Sequence, residues 1–192
     1  MRFPNTWFFF DPFDKSSKIN FSRANKSIGI IFYSNSKLKN KFSAKIKDYI
    51  DLCKHNRIFF LIQNSVDLAI RHKAIGVFCN LDYFKKSSNL KLLSLKRPSH
   101  IKIFTSVHNL KEIKFSEKKN FDVIFISPLY KTQSHPNYRP LGPVNFINLC
   151  TKSSLINLAL GGVTKKNYRR IKNNNIAGFG GITYFKNNSE YL

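Results

Sequence analysis

Eight short apolar runs recur along the chain of 192 residues, and polar, lysine-rich stretches separate them. Within each run the hydrophobic residues are nearly continuous, which is typical of parallel strands that are covered on both faces. Parallel strands need crossover connections, and these are usually helices. The runs cover residues 7–10, 28–32, 58–62, 74–78, 101–104, 123–126, 155–160 and 176–180. We therefore predict an α/β fold in which residues 1–192 form a single domain, a (β/α)8 TIM barrel.

Helical spacing between these runs supports the barrel. The clearest helix is predicted over residues 41–54, where Phe42, Ile46 and Ile50 recur on one face. Weaker patterns predict helices over residues 66–72, 110–116, 144–150 and 165–173. An open doubly wound sheet would give the same alternation, but no glycine-rich dinucleotide motif follows the first strand. Eight strand and helix units in this length favour the closed barrel.

The charge of the chain is strongly positive, with 33 Lys and Arg against 10 Asp and Glu and a formal net charge of +23. Nucleic acid, an anionic membrane surface and phosphorylated metabolites are all compatible with such a charge. The lysines are dispersed, and the aromatic residues follow no RNA-binding pattern, so nucleic acid is the least favoured partner. We predict a solvated basic surface, and the 42% hydrophobic content excludes a disordered chain.

The three cysteines, Cys53, Cys79 and Cys150, are odd in number and widely spaced. They match neither a disulfide framework nor a metal-binding motif, which indicates a reducing compartment. The apolar run at residues 7–10 is too short for a signal peptide or a membrane span. We therefore expect a cytoplasmic protein without a membrane partner.

Three segments near the end of the chain each couple a strand to a turn of small or hydroxyl-bearing residues. They read DVIFISPLYKTQSHP from residue 122, NLALGGVTKKN from residue 157 and IAGFGGITYF from residue 176. Turns of this kind at the carboxyl ends of barrel strands present backbone N–H groups to phosphate. Together with LIQNSVDLAIRHKAIGVF and FTSVHNLKE, these segments resemble, in matching order, the thiamine phosphate synthase/TenI family of β/α barrels. The resemblance runs from about residue 58 to the end.

The resemblance implies a role in thiamine biosynthesis. Synthase-type members join a hydroxymethylpyrimidine pyrophosphate to a thiazole phosphate with Mg²⁺, whereas TenI-type members isomerise the thiazole phosphate without a metal. We expect a divergent synthase-like enzyme that binds these two phosphorylated substrates and could form a homo-oligomer. A TenI-like thiazole tautomerase, or another enzyme with a phosphorylated ligand, is the first alternative. A noncatalytic basic binding protein is the second.

The resemblance also assigns candidate catalytic residues. Ser106 matches a serine near the reacting pyrimidine, and His108 matches the proposed acid and base of the tautomerisation. An imidazole suits that role because it titrates near neutral pH. In the next segment, Thr132 and Ser134 keep two hydroxyl groups that grip phosphate in the family, and His135 replaces a lysine.

Two further turns complete the expected phosphate cradle. Gly161 and Gly162 match a Gly-Gly turn in which a side chain would block the approach of phosphate to the backbone. Ile182 and Thr183 match a hydrophobic-serine pair in the following loop. We expect all four residues to contact a phosphate group.

The part of the site that holds metal in the family is altered. Gln63 and Asn64 stand where the synthases carry an Asn-Asp pair, whose aspartate binds Mg²⁺. An amide oxygen is a poorer ligand for Mg²⁺ than a carboxylate. We expect Gln63 and Asn64 to contact substrate, and Asp82 is the remaining candidate metal ligand. The resemblance thus implies Mg²⁺, while Asn64 argues against it.

Overall fold

The computed structural model describes residues 4–14, 27–34, 39–86, 97–133 and 137–186. All eight predicted strands are present and parallel, and they close into a barrel in chain order, with β8 paired to β1. The strands are β1 Thr6–Phe10, β2 Ile28–Phe32, β3 Phe60–Gln63, β4 Gly76–Cys79, β5 Lys102–Val107, β6 Val123–Ile126, β7 Ile156–Ala159 and β8 Gly178–Gly181. The predicted TIM barrel is confirmed.

Helices follow the strands on the outside of the barrel. They are α1 Lys39–His55, α2 Val66–His72, α3 Leu81–Lys86, α4 Leu110–Lys118, α5 Gly142–Thr151, α6 Lys165–Ile171 and α7 Thr183–Lys186. The five predicted helices are confirmed within a few residues at each end. Helices α3 and α7 were not predicted, because six and four residues are too few to display a helical period. No described helix is long and apolar enough to cross a membrane.

Five strands begin one or two residues later than the apolar runs that predicted them, and at β3 and β4 the extra residues belong to the end of the preceding helix. Ile58 and Ala74 are buried, but they belong to the turns that end α1 and α2. The backbone N–H of Ile58 donates to Cys53 and that of Ala74 to Ala69, both at 2.8 Å. These residues fold back onto the preceding helix and cap it, which apolar residues often do just after a helix.

The inside of the barrel is filled mainly by large side chains. Its buried cluster comprises Trp7, Phe9, Ile31, Leu61, Phe78, Phe104, Val123, Phe125 and Leu158. The ring of Phe9 packs edge to face against Phe78 and Phe125, with centroids 5.1 and 5.2 Å away. A Cβ atom on Gly180 would lie 2.8 Å from the Phe125 ring and 3.0 Å from Phe9. Gly180 thus makes room for this aromatic core, and both it and Gly181 belong to β8.

A second apolar layer lies between the strands and the helices and includes the three cysteines. All three are free and buried. Burial raises the pKa of Cys53 and of Cys150 to about 12 and raises the pKa of Cys79 as well. The thiols therefore stay protonated near neutral pH and act as small apolar side chains. With both layers packed, chemistry is left to the rim at the carboxyl ends of the strands.

Candidate active site

The Gly161–Gly162 turn after β7 packs directly against the loop after β6. The backbone N–H of Leu129 donates to Leu160 at 2.8 Å, and that of Tyr130 donates to Gly161 at 3.0 Å. Gly162 has a φ of +64°, and a Cβ atom there would lie 2.4 Å from the carbonyl oxygen of Lys131. The glycines are therefore required by this contact and by the left-handed backbone, a reason that the sequence interpretation did not include.

The same turn presents backbone donors. Among the described residues, the N–H groups of Gly161, Gly162 and Val163 have no hydrogen-bond acceptor. The turn is held in place from α6, because the Asn167 amide donates to the Gly162 carbonyl at 2.9 Å and accepts from the Thr164 N–H at 2.7 Å. Three donors on a fixed turn form a concave group that suits an anion.

The turn after β8 adds donors beside the first. Strand β8 pairs with β7, so their two turns are neighbours on the rim. Ile182 is half-buried against the inner core, and its carbonyl accepts from the N–H groups of Phe185 and Lys186. In the part of the chain that the structure describes, the N–H groups of Ile182 and Thr183 have no acceptor. We call the two turns, residues 161–163 and 182–183, the phosphate rim.

His108 follows β5 and is exposed at the rim. Its Nδ1 atom lies 2.8 Å from the carbonyl oxygen of Ser127, which follows β6. A carbonyl oxygen can only accept, so Nδ1 carries the proton of this bond. In the neutral ring Nε2 then keeps its lone pair and can accept a proton from a ligand. The ring of Tyr138 lies beside the imidazole, with centroids 6.1 Å apart.

The backbone at His108 is fixed by the start of α4. Its N–H donates to the Glu112 carboxylate at 2.7 Å, while the Glu112 N–H donates to the Asn109 side chain at 3.0 Å. Together these two bonds fix the first turn of the helix. Ser106 lies two residues before His108 on β5 and two after Phe104, so it shares the inward face of the strand with that ring. The structure thus brings Ser106 and His108 to one edge of the barrel mouth.

Gln63 and Asn64 end β3, and both side-chain oxygens accept hydrogen bonds from the backbone. The Ser34 N–H donates to Gln63 Oε1 at 2.8 Å, and the Asn80 N–H donates to Asn64 Oδ1 at 3.0 Å. Asp82 lies exposed in the first turn of α3, with its own N–H donating to Asn80 Oδ1. We call Gln63 and Asn64 the amide rim.

These residues do not fit a magnesium ion. Mg²⁺ prefers hard, anionic oxygen ligands, and the two amide oxygens here are already engaged by N–H groups. Within residues 4–14, 27–34, 39–86, 97–133 and 137–186, no three His, Cys, Asp or Glu side chains converge on a possible metal position. Asp82 as a metal ligand stays a prediction.

Acidic residues after β1 were not predicted to belong to the rim. The carboxylate of Asp11 accepts from the Ser34 hydroxyl at 3.3 Å and from the Phe13 N–H at 3.0 Å, and Asp14 pairs with Lys186. Burial, with Asp11 and Asp14 adding to it, raises the pKa of Tyr33 to about 12. The one sequence signal for Asp11 is its place directly after an apolar strand.

The remaining predicted site residues belong to the loop after β6. Thr132 is half-buried in the loop that packs on Gly162, next to Lys131. Ser134 and His135 lie outside the described residues. A cavity of about 270 Å³ lies elsewhere, beside the amino ends of β1, β2 and β8, and is lined in part by Lys165, Arg169 and Lys172.

Known proteins are similar to this chain in sequence and in fold. Residues 22–184 match the family model of thiamine monophosphate synthase. A protein of Aquifex aeolicus, provisionally named thiamine-phosphate synthase 2, is 29% identical over 83% of this chain and 84% of its own length. A thiamine-phosphate synthase of Prochlorococcus marinus is 31% identical over 69% of this chain, which spans 37% of that protein. The solved thiamine phosphate pyrophosphorylase from Pyrococcus furiosus superposes with a TM-score of 0.70 at 18% identity, covering 99% of this chain and 95% of that one, and shows the same fold.

Proposed function

The chain belongs to the thiamine monophosphate synthase family, and we propose that it is a divergent thiamine phosphate synthase that condenses hydroxymethylpyrimidine pyrophosphate with thiazole phosphate. The observation that carries this proposal is the phosphate rim. Two neighbouring turns there offer the N–H groups of Gly161, Gly162, Val163, Ile182 and Thr183 to a ligand. This is the part of a TIM barrel where phosphate groups commonly bind.

In the proposed reaction a bond forms between the methylene carbon of the pyrimidine and the thiazole nitrogen, while the bond from that carbon to pyrophosphate breaks. The phosphate rim holds the thiazole by its phosphate and so fixes the attacking nitrogen. Ser106, on the inward face of β5, faces the pyrimidine. The net charge of +23 raises the local concentration of both anionic substrates. No step is assigned to a metal ion, because the amide rim does not fit one.

An assay of thiamine phosphate formation from both substrates tests this proposal. Thr183→Val retains the backbone N–H but removes the hydroxyl, and we expect its KM for thiazole phosphate to rise about tenfold through one lost hydrogen bond to a charged group. Thr151→Val, at the exposed end of α5, is the matched control and should leave KM unchanged. If the parent protein forms no thiamine phosphate, with or without Mg²⁺, the synthase proposal is wrong.

A second candidate is thiazole tautomerisation, and the His108 ring favours it. With Nδ1–H held by the Ser127 carbonyl, Nε2 is the free basic atom at the rim. It can take a proton from carbon of the bound thiazole and return it to the ring. His108→Gln should slow this isomerisation about 100-fold or more, whereas His100→Gln, exposed before β5, should not. A His108→Gln protein as fast as the parent would exclude this role.

A further inference from the structure

We propose that the amide rim binds the pyrophosphate of the pyrimidine substrate directly, by hydrogen bonds from the Gln63 and Asn64 amides and without a bridging metal ion. The inference rests on the proposed function, because it deepens the assignment of one substrate. It concerns the position at which the resemblance places a metal-binding carboxylate. We assign an anionic ligand to this position instead of a metal cation.

The hydrogen bonds of the rim determine which polar group of each amide is engaged by the backbone and which is left for a ligand. A backbone N–H group can only donate, so its partner atom in an amide must be the oxygen. The Ser34 N–H therefore fixes Oε1 of Gln63, at 2.8 Å, and the Asn80 N–H fixes Oδ1 of Asn64, at 3.0 Å. These two bonds fix the orientation of both side chains, so the positions of the amide oxygen and nitrogen are not interchangeable.

What remains for a ligand is the NH2 group of each amide. Among the described residues neither group makes another hydrogen bond, and both side chains are half-buried. An NH2 group donates two hydrogen bonds and has no lone pair for a cation. The pair is therefore suited to phosphoryl oxygens and unsuited to Mg²⁺.

The acidic residues that follow β1, two strands away from Gln63, are engaged by hydrogen bonds and an ion pair. The Asp11 carboxylate accepts from the Phe13 N–H and the Ser34 hydroxyl, and Asp14 is paired with Lys186. These contacts lower the repulsion that an anion at Gln63 would meet. Asn64 lies one residue further toward β4, where Asp82 is exposed to solvent and its charge is screened.

The two rims also occupy suitable positions for two substrates. In the closed order of eight strands, the amide rim lies at the end of β3 and the phosphate rim follows β7 and β8, which lie four and three strands away around the barrel. The rims thus face each other across the mouth. A pyrimidine pyrophosphate at one side and a thiazole phosphate at the other would place their reacting atoms between them.

Calorimetric titration with inorganic pyrophosphate in EDTA tests the inference. The parent protein should bind pyrophosphate without metal. Asn64→Asp keeps an acceptor for the Asn80 N–H and a residue type that tolerates the left-handed φ of +53°. It replaces the donor by a negative charge, so pyrophosphate affinity in EDTA should fall about tenfold or more and recover when Mn²⁺ is added. Gln63→Glu is the second variant, with the same expectation.

The control is Asn120→Asp. Asn120 also has a left-handed backbone, with φ +55°, but it precedes β6 at the other end of the barrel. This variant changes the net charge equally and should leave pyrophosphate affinity unchanged. Circular dichroism checks that each variant is folded.

Two results would overturn the inference. One is a parent protein that binds pyrophosphate only when Mg²⁺ or Mn²⁺ is present; the other is unchanged affinity in folded Asn64→Asp and Gln63→Glu. A parallel titration with thiazole phosphate separates the two proposals. If thiazole phosphate binds in EDTA and pyrophosphate does not, the inference alone fails. If neither binds under any condition, the proposed function fails with it.

Discussion

The two rims of the barrel mouth differ in the kind of polar group that they present to a ligand. The phosphate rim offers backbone N–H groups from turns shaped by Gly161 and Gly162, while the amide rim offers the side chains of Gln63 and Asn64. A backbone site depends on how the turn is packed, and few substitutions alter it without also altering the fold. A side-chain site changes its chemistry with one residue. The amide rim can therefore change its ligand by substitution alone, whereas the phosphate rim is tied to the packing of its turns.

The largest effect is expected where the backbone site is packed most tightly. Gly162→Val adds a branched side chain at φ +64°, against the Lys131 carbonyl 2.4 Å from its Cβ position. We expect the free energy of unfolding to fall by about 3 kcal/mol and thiazole phosphate binding to be lost. Urea unfolding and calorimetric titration measure the two effects.

Gly142→Val is the control for this variant. Gly142 has a similar φ of +73°, but nothing lies within 4 Å of its Cβ position. Only backbone strain should remain, about 1 kcal/mol. Equal losses in the two variants would show that packing on the loop after β6 is not what holds the phosphate rim.

A smaller effect is expected from the side chain that supports the phosphate rim. Asn167→Ala removes the donor to the Gly162 carbonyl and the acceptor for the Thr164 N–H. The free energy of unfolding should fall by about 1 to 2 kcal/mol and phosphate affinity a few-fold. Asn145→Ala removes an exposed bond to Leu141 within α5 and should cost a few tenths of a kcal/mol. Unchanged phosphate affinity in Asn167→Ala would show that this side chain does not support the phosphate rim.

The amide rim should tolerate substitution with less loss of stability. Asn64→Gly suits the left-handed backbone and deletes one hydrogen bond, so the free energy of unfolding should change by about 1 kcal/mol or less. Pyrophosphate affinity should fall, while thiazole phosphate affinity stays that of the parent. Titration with each ligand tests this independence, and a parallel loss of both affinities would mean that the two rims act as one site.

The smallest effect concerns pH. The pKa of Tyr33 is raised from 10.0 to about 12, so the folded state holds this proton when the unfolded chain has lost it. Stability contributed by Tyr33 is therefore full below pH 10 and declines as the pH rises toward 12. Tyr33→Phe should flatten part of the alkaline decline seen in urea unfolding, and Tyr138→Phe at the exposed side of His108 should not. Identical alkaline profiles in the parent and Tyr33→Phe would contradict the burial of this phenol.

The barrel itself was predictable because buried parallel strands have a distinctive pattern. All eight strands follow from apolar runs, and the errors at Ile58 and Ala74 arise where apolar residues cap a helix. Helix ends of this kind cannot be told from strand starts by hydrophobicity alone. The short helices α3 and α7 were missed for a similar reason, since a helical period needs more residues.

The places of the two candidate turns after β7 and β8 were predictable from the sequence, but their packing was not. The contact of Gly162 with Lys131 joins loops 31 positions apart in the chain. The orientation of the Gln63 amide likewise depends on Ser34, a residue from another strand. Donor and acceptor roles of this kind are set by tertiary partners, so no local pattern reveals them.

The most direct test of the central claim is an amide NMR titration with thiazole phosphate in EDTA. We expect the largest changes in chemical shift on the backbone amides of the phosphate rim, at Gly161, Gly162, Val163, Ile182 and Thr183. Changes centred instead on Arg169 and Lys172, which line the cavity beside the amino ends of β1, β2 and β8, would contradict this assignment of the phosphate site. So would a spectrum that does not change.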